Sequence, residues 1–88
     1  MLKITTLENL KYYLKIQLNS KRADLNLSQE KMAEKLDITL RAYQNLEHGK
    51  NFCSAYALIN FINNCNIDKD KLFSDFSRII NNTEDDIK

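Results

Sequence analysis

Arg41, Gln44 and Asn45 stand within five residues of one another, and each carries a planar group able to form two hydrogen bonds at once. Such groups match the acceptor pair on a guanine edge or the donor–acceptor pair on an adenine edge. At about 100° per residue of helix, Leu40, Arg41, Gln44, Asn45 and His48 fill one arc of roughly 140°. Thr39, Ala42, Tyr43 and Leu46 fill an opposite arc of roughly 100°, which reads as a core face. Ordinary solvated faces are built from Glu and Lys rather than from amides. The outward arc therefore reads as a surface for base edges in a major groove, the plain alternative being a merely solvated face. Leu40 is the apolar exception on it, and it either fills a hydrophobic gap or meets a thymine methyl.

Two short helices must position that arc. Ser28 is expected to cap the first, with Gln29 and Glu30 in its opening turn. Met32, Ala33 and Leu36 share one face, and Ala33 is small where two helices cross steeply. Asp37 is expected to break this helix, because Asp tolerates the left-handed conformation better than most residues. Ile38 plugs the turn and Thr39 caps the next helix. Gly49, the only glycine in a chain without proline, falls just past the helix end, where a positive φ is usually required.

The segment from Leu27 to Lys50 resembles the helix-turn-helix of the Xre/Cro/C1 family, which includes lambdoid phage repressors. The likeness stands on Leu27, Ser28, Gln29, Glu30, Met32, Ala33, Leu36, Ile38 and Thr39, then on Leu46, Glu47, Gly49 and Lys50. It extends upstream through Ser20, Lys21, Arg22 and Leu25, and downstream to Ile67 and Leu72. Three positions depart from the pattern. Asp37 replaces the turn glycine, Cys53 stands where proline is common, and the Asn51–Phe52–Cys53 loop lacks basic residues. The resemblance implies a five-helix, all-α, lambda-repressor-like domain. It implies base contacts from Leu40, Arg41, Gln44 and Asn45, and DNA-backbone contacts from Ser28, Gln29, Thr39, His48 and Lys50. It also implies an ion pair between Arg22 and Glu47. The residues independently ask for a partner there, since a carboxylate in the last turn faces the negative end of the helix dipole.

Length and charge bound the remainder. Eighty-eight residues make one domain with a marginal core, for which help from a partner is plausible. No signal peptide and no apolar run of membrane-spanning length is visible, so the chain reads as cytoplasmic with no membrane role. Cys53 and Cys65, with eleven residues between them and one distant His, match no metal spacing and read as reduced thiols, Cys65 buried at a helix end. No metal and no cofactor is expected. No nucleophile–base pair or phosphate loop is visible either, so an enzyme is not expected. The net charge is only +1, with the excess of acids after residue 50. Glu84, Asp85 and Asp86 should therefore point away from DNA, and non-specific affinity should be modest.

Three more helices are expected. The first opens at a Thr5–Glu8 capping box and runs on the stripe Leu7, Leu10, Leu14 and Leu18 to about Lys21. The fourth runs from near Ser54 to about Asn64, burying Leu58, Phe61, Ile62 and Tyr56, with Asn66 as its stop. The fifth starts at Asp68 and fades at Asn81 and Asn82. Leu72 and Phe76 should pack on helices one and four, with Phe73 and Ile80 left in water. Residues 1–82 are thus assigned to the DNA-binding domain, with its reading motif at 28–49, a dimerising helix at 69–82 and an acidic tail at 83–88. Phe73, Phe76, Ile79 and Ile80 are the expected dimer contacts. The alternative is that Phe73 and Ile80 fold back on Leu2 and Ile4.

The combined expectation is a sequence-specific double-stranded DNA-binding regulator, a repressor of phage or mobile-element type. As a homodimer it would occupy a near-palindromic operator, since one reading helix covers only a few base pairs. The rival expectation is a protein-binding module, such as an antitoxin that engages a partner through its last helix.

Overall fold

Left-handed residues divide the chain. Asn26, Asp37, Gly49 and Asn66 take φ values of 57°, 57°, 76° and 55°, and they fall in the gaps between five helices. These are α1 (Ile4–Leu25), α2 (Gln29–Leu36), α3 (Leu40–Glu47), α4 (Ala55–Asn64) and α5 (Lys69–Asp85). A computed structural model describes residues 4–85, with side chains for residues 5–82. At the first stop Asn26 N–H donates to the Ala23 carbonyl and Leu27 N–H to that of Arg22, both at 3.1 Å. The same pair of bonds recurs at Asp37 and Ile38, and again at Gly49 and Lys50. Carbonyls that a helix end leaves without partners are thereby satisfied. Only one stop is glycine; Asn and Asp serve at the others because their short polar side chains tolerate the left-handed region.

The opposite ends are capped by side chains. Ser28, Thr39 and Ser54 accept hydrogen bonds from the N–H groups of Lys31, Ala42 and Ala57 at 3.1, 3.0 and 3.1 Å. Asp68 accepts from Lys71 N–H at 3.2 Å. The core gathers Leu14 and Leu18 of α1, Met32, Ala33 and Leu36 of α2, Tyr43 and Leu46 of α3, then Phe61 and Cys65. Ile38 and Leu27 close over it from the turns. In this arrangement α1 packs on α3 and α5, and α2 packs on α3 and α4. Asn60 and Asn64 of α4 donate to the carbonyls of Leu36 and Lys35, holding the end of α2 in place. Among the described residues no helix is long and apolar enough to cross a membrane.

Several local expectations are corrected. Helix α1 already includes Ile4, so Thr5 lies inside it and forms no cap; Thr and Glu three residues apart are also compatible with a helix interior. Thr6, two turns before Tyr13 on the side that α5 covers, is buried, while Leu7 is 46% exposed. The helix also runs past Lys21 to Leu25, because Asn26 and not the end of the leucine stripe supplies the stop. Thr39 belongs to its cap and is exposed rather than part of the core. On α4, Ala57 and Phe61 are buried, Leu58 and Ile62 are half-buried, and Tyr56 is 57% exposed. Tyr56 sits in the first turn, where its hydroxyl reaches out to Asp37 Oδ2 at 2.5 Å. Helix α5 continues through Asn81 and Asn82 to Asp85, so the boundary expected at 82 falls inside a helix.

Helix α5 is seated by its aromatic face. Leu72 and Phe76 are buried, and Phe76 meets Tyr13 of α1, Phe52 of the loop after α3, and Phe73 edge to face, at centroid distances of 5.4, 5.6 and 6.1 Å. Beside them Asp75 accepts hydrogen bonds from the Tyr13 hydroxyl at 2.5 Å, Lys71 at 3.0 Å and Arg78 at 2.5 Å. Phe76 therefore belongs to the core of its own domain and is not free for a dimer contact. Phe73 is exposed, while Ile79 and Ile80 are half-buried, so Ile80 is not left in water. The alternative packing of Phe73 and Ile80 on Leu2 and Ile4, and the direction of Glu84, Asp85 and Asp86, fall on side chains outside the described residues.

Candidate nucleic-acid interface

Glu47 lies at the back of α3, 5% exposed, and it is saturated with donors. Arg22 Nε meets its Oε2 at 2.6 Å and Arg22 Nη2 meets its Oε1 at 3.3 Å. Gln29 Nε2 donates to Oε1 at 3.0 Å, and the Tyr43 hydroxyl donates to Oε2. Burial alone would push this carboxyl's pKa up. The hydrogen bonds from Arg22, Tyr43 and Gln29 outweigh that and hold it below the usual carboxylate range. The Arg22 guanidinium is pushed up by its bond to Glu47, and Tyr43 is pushed up by burial and by the same carboxylate. Arg22 also donates to the Leu27 carbonyl at 3.2 Å. One carboxylate thus joins α1, α2 and α3, and it fixes how α3 is presented.

On the outer side of α3, Leu40, Arg41 and His48 are exposed, and Gln44 and Asn45 are half-buried. The exposed caps Ser28 and Thr39 and the exposed Lys50 lie at the helix ends around this face. The four residues expected to read bases therefore share one helix face, with two of them partly covered. Gln29, expected at the DNA backbone, is half-buried and turned inward. Its amide bonds Glu47 and also accepts from Gln44 Nε2 at 3.1 Å. Reasoning from the sequence missed this Gln29–Gln44 contact, because nothing in either residue's local pattern reports how α2 and α3 cross. It also missed Tyr43 as a partner of Glu47, although the two stand four residues apart on one helix face and could have been paired on that ground.

The two cysteines are set apart from this chemistry. Cys65 is buried at the end of α4 and Cys53 is half-buried in the loop before it. Burial raises both thiols, Cys53 to about 11, which keeps them protonated and poor as nucleophiles.

Residues 18–51 match the family model described as Helix-turn-helix. Searches among curated proteins and among solved structures find no match. The matched span takes in the end of α1, α2, α3 and the glycine stop, which is the unit assembled around Glu47. Over these residues the chain is similar to the helix-turn-helix family, in line with the resemblance carried by Leu27 to Lys50.

Proposed function

We propose that this protein is a sequence-specific repressor of phage or mobile-element type, which binds a near-palindromic operator as a homodimer and blocks polymerase sterically. The observation that carries the reading is the outer face of α3. It brings Leu40, Arg41, Gln44 and Asn45 together on a helix whose reverse side is locked by Glu47. Arg is the usual partner of guanine, and Asn and Gln of adenine. Ser28, Thr39, His48 and Lys50 flank that face with groups suited to phosphate oxygens. A dimer would present two such faces about one helical turn apart. Exposed Phe73 of α5 offers apolar surface for the pairing. The site of action is then the cytoplasm, where the operator lies.

Selection of binding sites from random double-stranded DNA tests this reading. Enrichment of one sequence with an internal dyad is the expected result. The rival reading, an antitoxin-like module that binds another protein, draws on the same exposed Phe73. It predicts a second protein that co-purifies through α5, with no enriched DNA sequence required.

A further inference from the structure

Two cavities open along the seam where α5 lies on α1. One, of about 310 Å³, is lined by Tyr13, Gln17 and Lys21 of α1 and by Lys71 and Leu72 of α5. The other, of about 550 Å³, is lined by Tyr12, Tyr13, Ile16 and Gln17 of α1 and by Ile79 and Asn82 of α5. Tyr13 and Gln17 border both, so the two form one trench along the seam. At about 100° per residue, its α1 wall between Tyr13 and Ile16 lies roughly 140° round the helix from Lys15 and Arg22, which face α3. The trench is therefore on the far side of α1 from the α3 face, and its role is independent of what α3 reads. Its wide end is apolar where it is open. Tyr12 and Ile16 are exposed there, and the polar groups beside them are the uncharged amides of Asn9, Gln17 and Asn82. Charge enters from α5, where Lys71, Asp75 and Arg78 share one stripe. The carboxylate is the covered member: the Asp75 side chain is 7% exposed, against 72% for Lys71 and 64% for Arg78. Asp75 is also bonded to the Tyr13 hydroxyl in the trench wall. An arriving partner thus meets two cations about 10 Å apart along α5, with their shared counter-charge beneath them. The narrow end, by contrast, adds Asp24 and Asp68 beside Lys21 and offers no cationic excess.

We propose that this trench docks an amphipathic helix of another protein, with its apolar stripe on Tyr12 and Ile16 and an acidic flank on Lys71 and Arg78. A helix suits the site because a third helix laid in the seam of two others buries one apolar stripe while its own backbone stays hydrogen-bonded. Carboxylates two turns apart on such a helix match the spacing of Lys71 and Arg78. Complementarity sets the sign of the partner, since a basic helix would face two exposed cations and be repelled. Phe73, where pairing of two copies is proposed, stands roughly 160° round α5 from Asp75. Docking in the trench therefore leaves both that surface and the outer face of α3 open.

The test titrates the isotope-labelled full chain with two synthetic helical peptides that share one leucine stripe, flanked in one by glutamates and in the other by lysines. Nuclear magnetic resonance is expected to show the glutamate peptide shifting Tyr12, Ile16 and Arg78, and binding about tenfold more tightly than the lysine peptide at low salt. Arg78→Glu should remove that preference. Tyr12→Ala should weaken the glutamate peptide by about tenfold at an unchanged melting temperature, because the side chain it truncates is exposed. Equal binding of the two peptides overturns the proposal, as do shifts that miss the seam, no binding at all, or full affinity in Tyr12→Ala. If Arg78→Glu does not fold, the salt dependence of the wild type decides. Affinity for the glutamate peptide that falls as salt rises supports the charged flank, and affinity indifferent to salt overturns it. Sedimentation of Tyr12→Ala tests the remaining occupant: conversion of a wild-type dimer to a monomer would place a second copy in the trench and overturn the foreign partner.

Discussion

At Glu47 a single side chain carries consequences for both folding and binding. Glu47→Ala leaves the Arg22 guanidinium, the Tyr43 hydroxyl and a Gln29 N–H without their acceptor, and removing one member of a buried pair costs about 3–5 kcal/mol. Chemical denaturation should show a loss of that size, with DNA binding weakened in parallel; a wild-type midpoint would mean that the pair does not stabilise the fold. Asp75 makes a different prediction. Hydrogen bonds from Tyr13, Lys71 and Arg78 lower its carboxyl from 3.8 to about 2. Because the folded value is depressed, the stability it contributes is present above pH 4 and is lost as pH falls through 4 towards 2. Asp75→Asn should flatten the acid limb of a stability–pH profile over that window, and an unchanged limb would contradict the assignment. The ion pair of Arg22 with Glu47 was legible through the family resemblance. The Tyr13–Asp75 bond joins residues 62 apart, and no local pattern could report it.

The helices themselves were largely legible, because their ends are written in short-range chemistry. Ser28, Thr39 and Gly49 occupy cap and stop positions that any helix of this length would need, and Asp37 and Asn66 take the positive φ expected of them. Asn26 was overlooked because the leucine stripe gives out at Leu18, about two turns before it. Tyr56 was misplaced, and Phe76 was expected both in the core, where it lies, and at a dimer contact, where it does not, for a related reason: periodicity names a face, but only the packed partner decides how far along the helix that face is covered. Gly49 yields a clean element-scale prediction. A Cβ there would meet only Lys15 Cδ at 3.6 Å, which is ordinary contact. Gly49→Ala should therefore lower stability through backbone conformation alone, by about 1–2 kcal/mol, and thermal denaturation measures it. Asn66→Gly should do the reverse and raise the melting temperature slightly.

Across the whole molecule the proposed reading requires that recognition rest on the α3 face, because a net charge of +1 offers little general attraction to phosphate. Dimer formation is proposed through the outer side of α5. Cutting the chain after Asp70 would strip Leu72 and Phe76 from the core, so a point substitution is the sharper probe. Phe73→Lys, at a side chain 48% exposed, should leave the fold intact while sedimentation shows a monomer that binds a half-site weakly. An unchanged dimer would move the interface elsewhere. The central claim is that α3 reads bases, and Arg41 tests it most directly because it is exposed on the outer face of that helix. The measurement compares the affinities of wild type and Arg41→Ala for the selected site and for random DNA at matched salt. The expected result is a loss of about 1–3 kcal/mol on the selected site, with a much smaller loss on random DNA. Equal losses on both would show that this face does not read sequence.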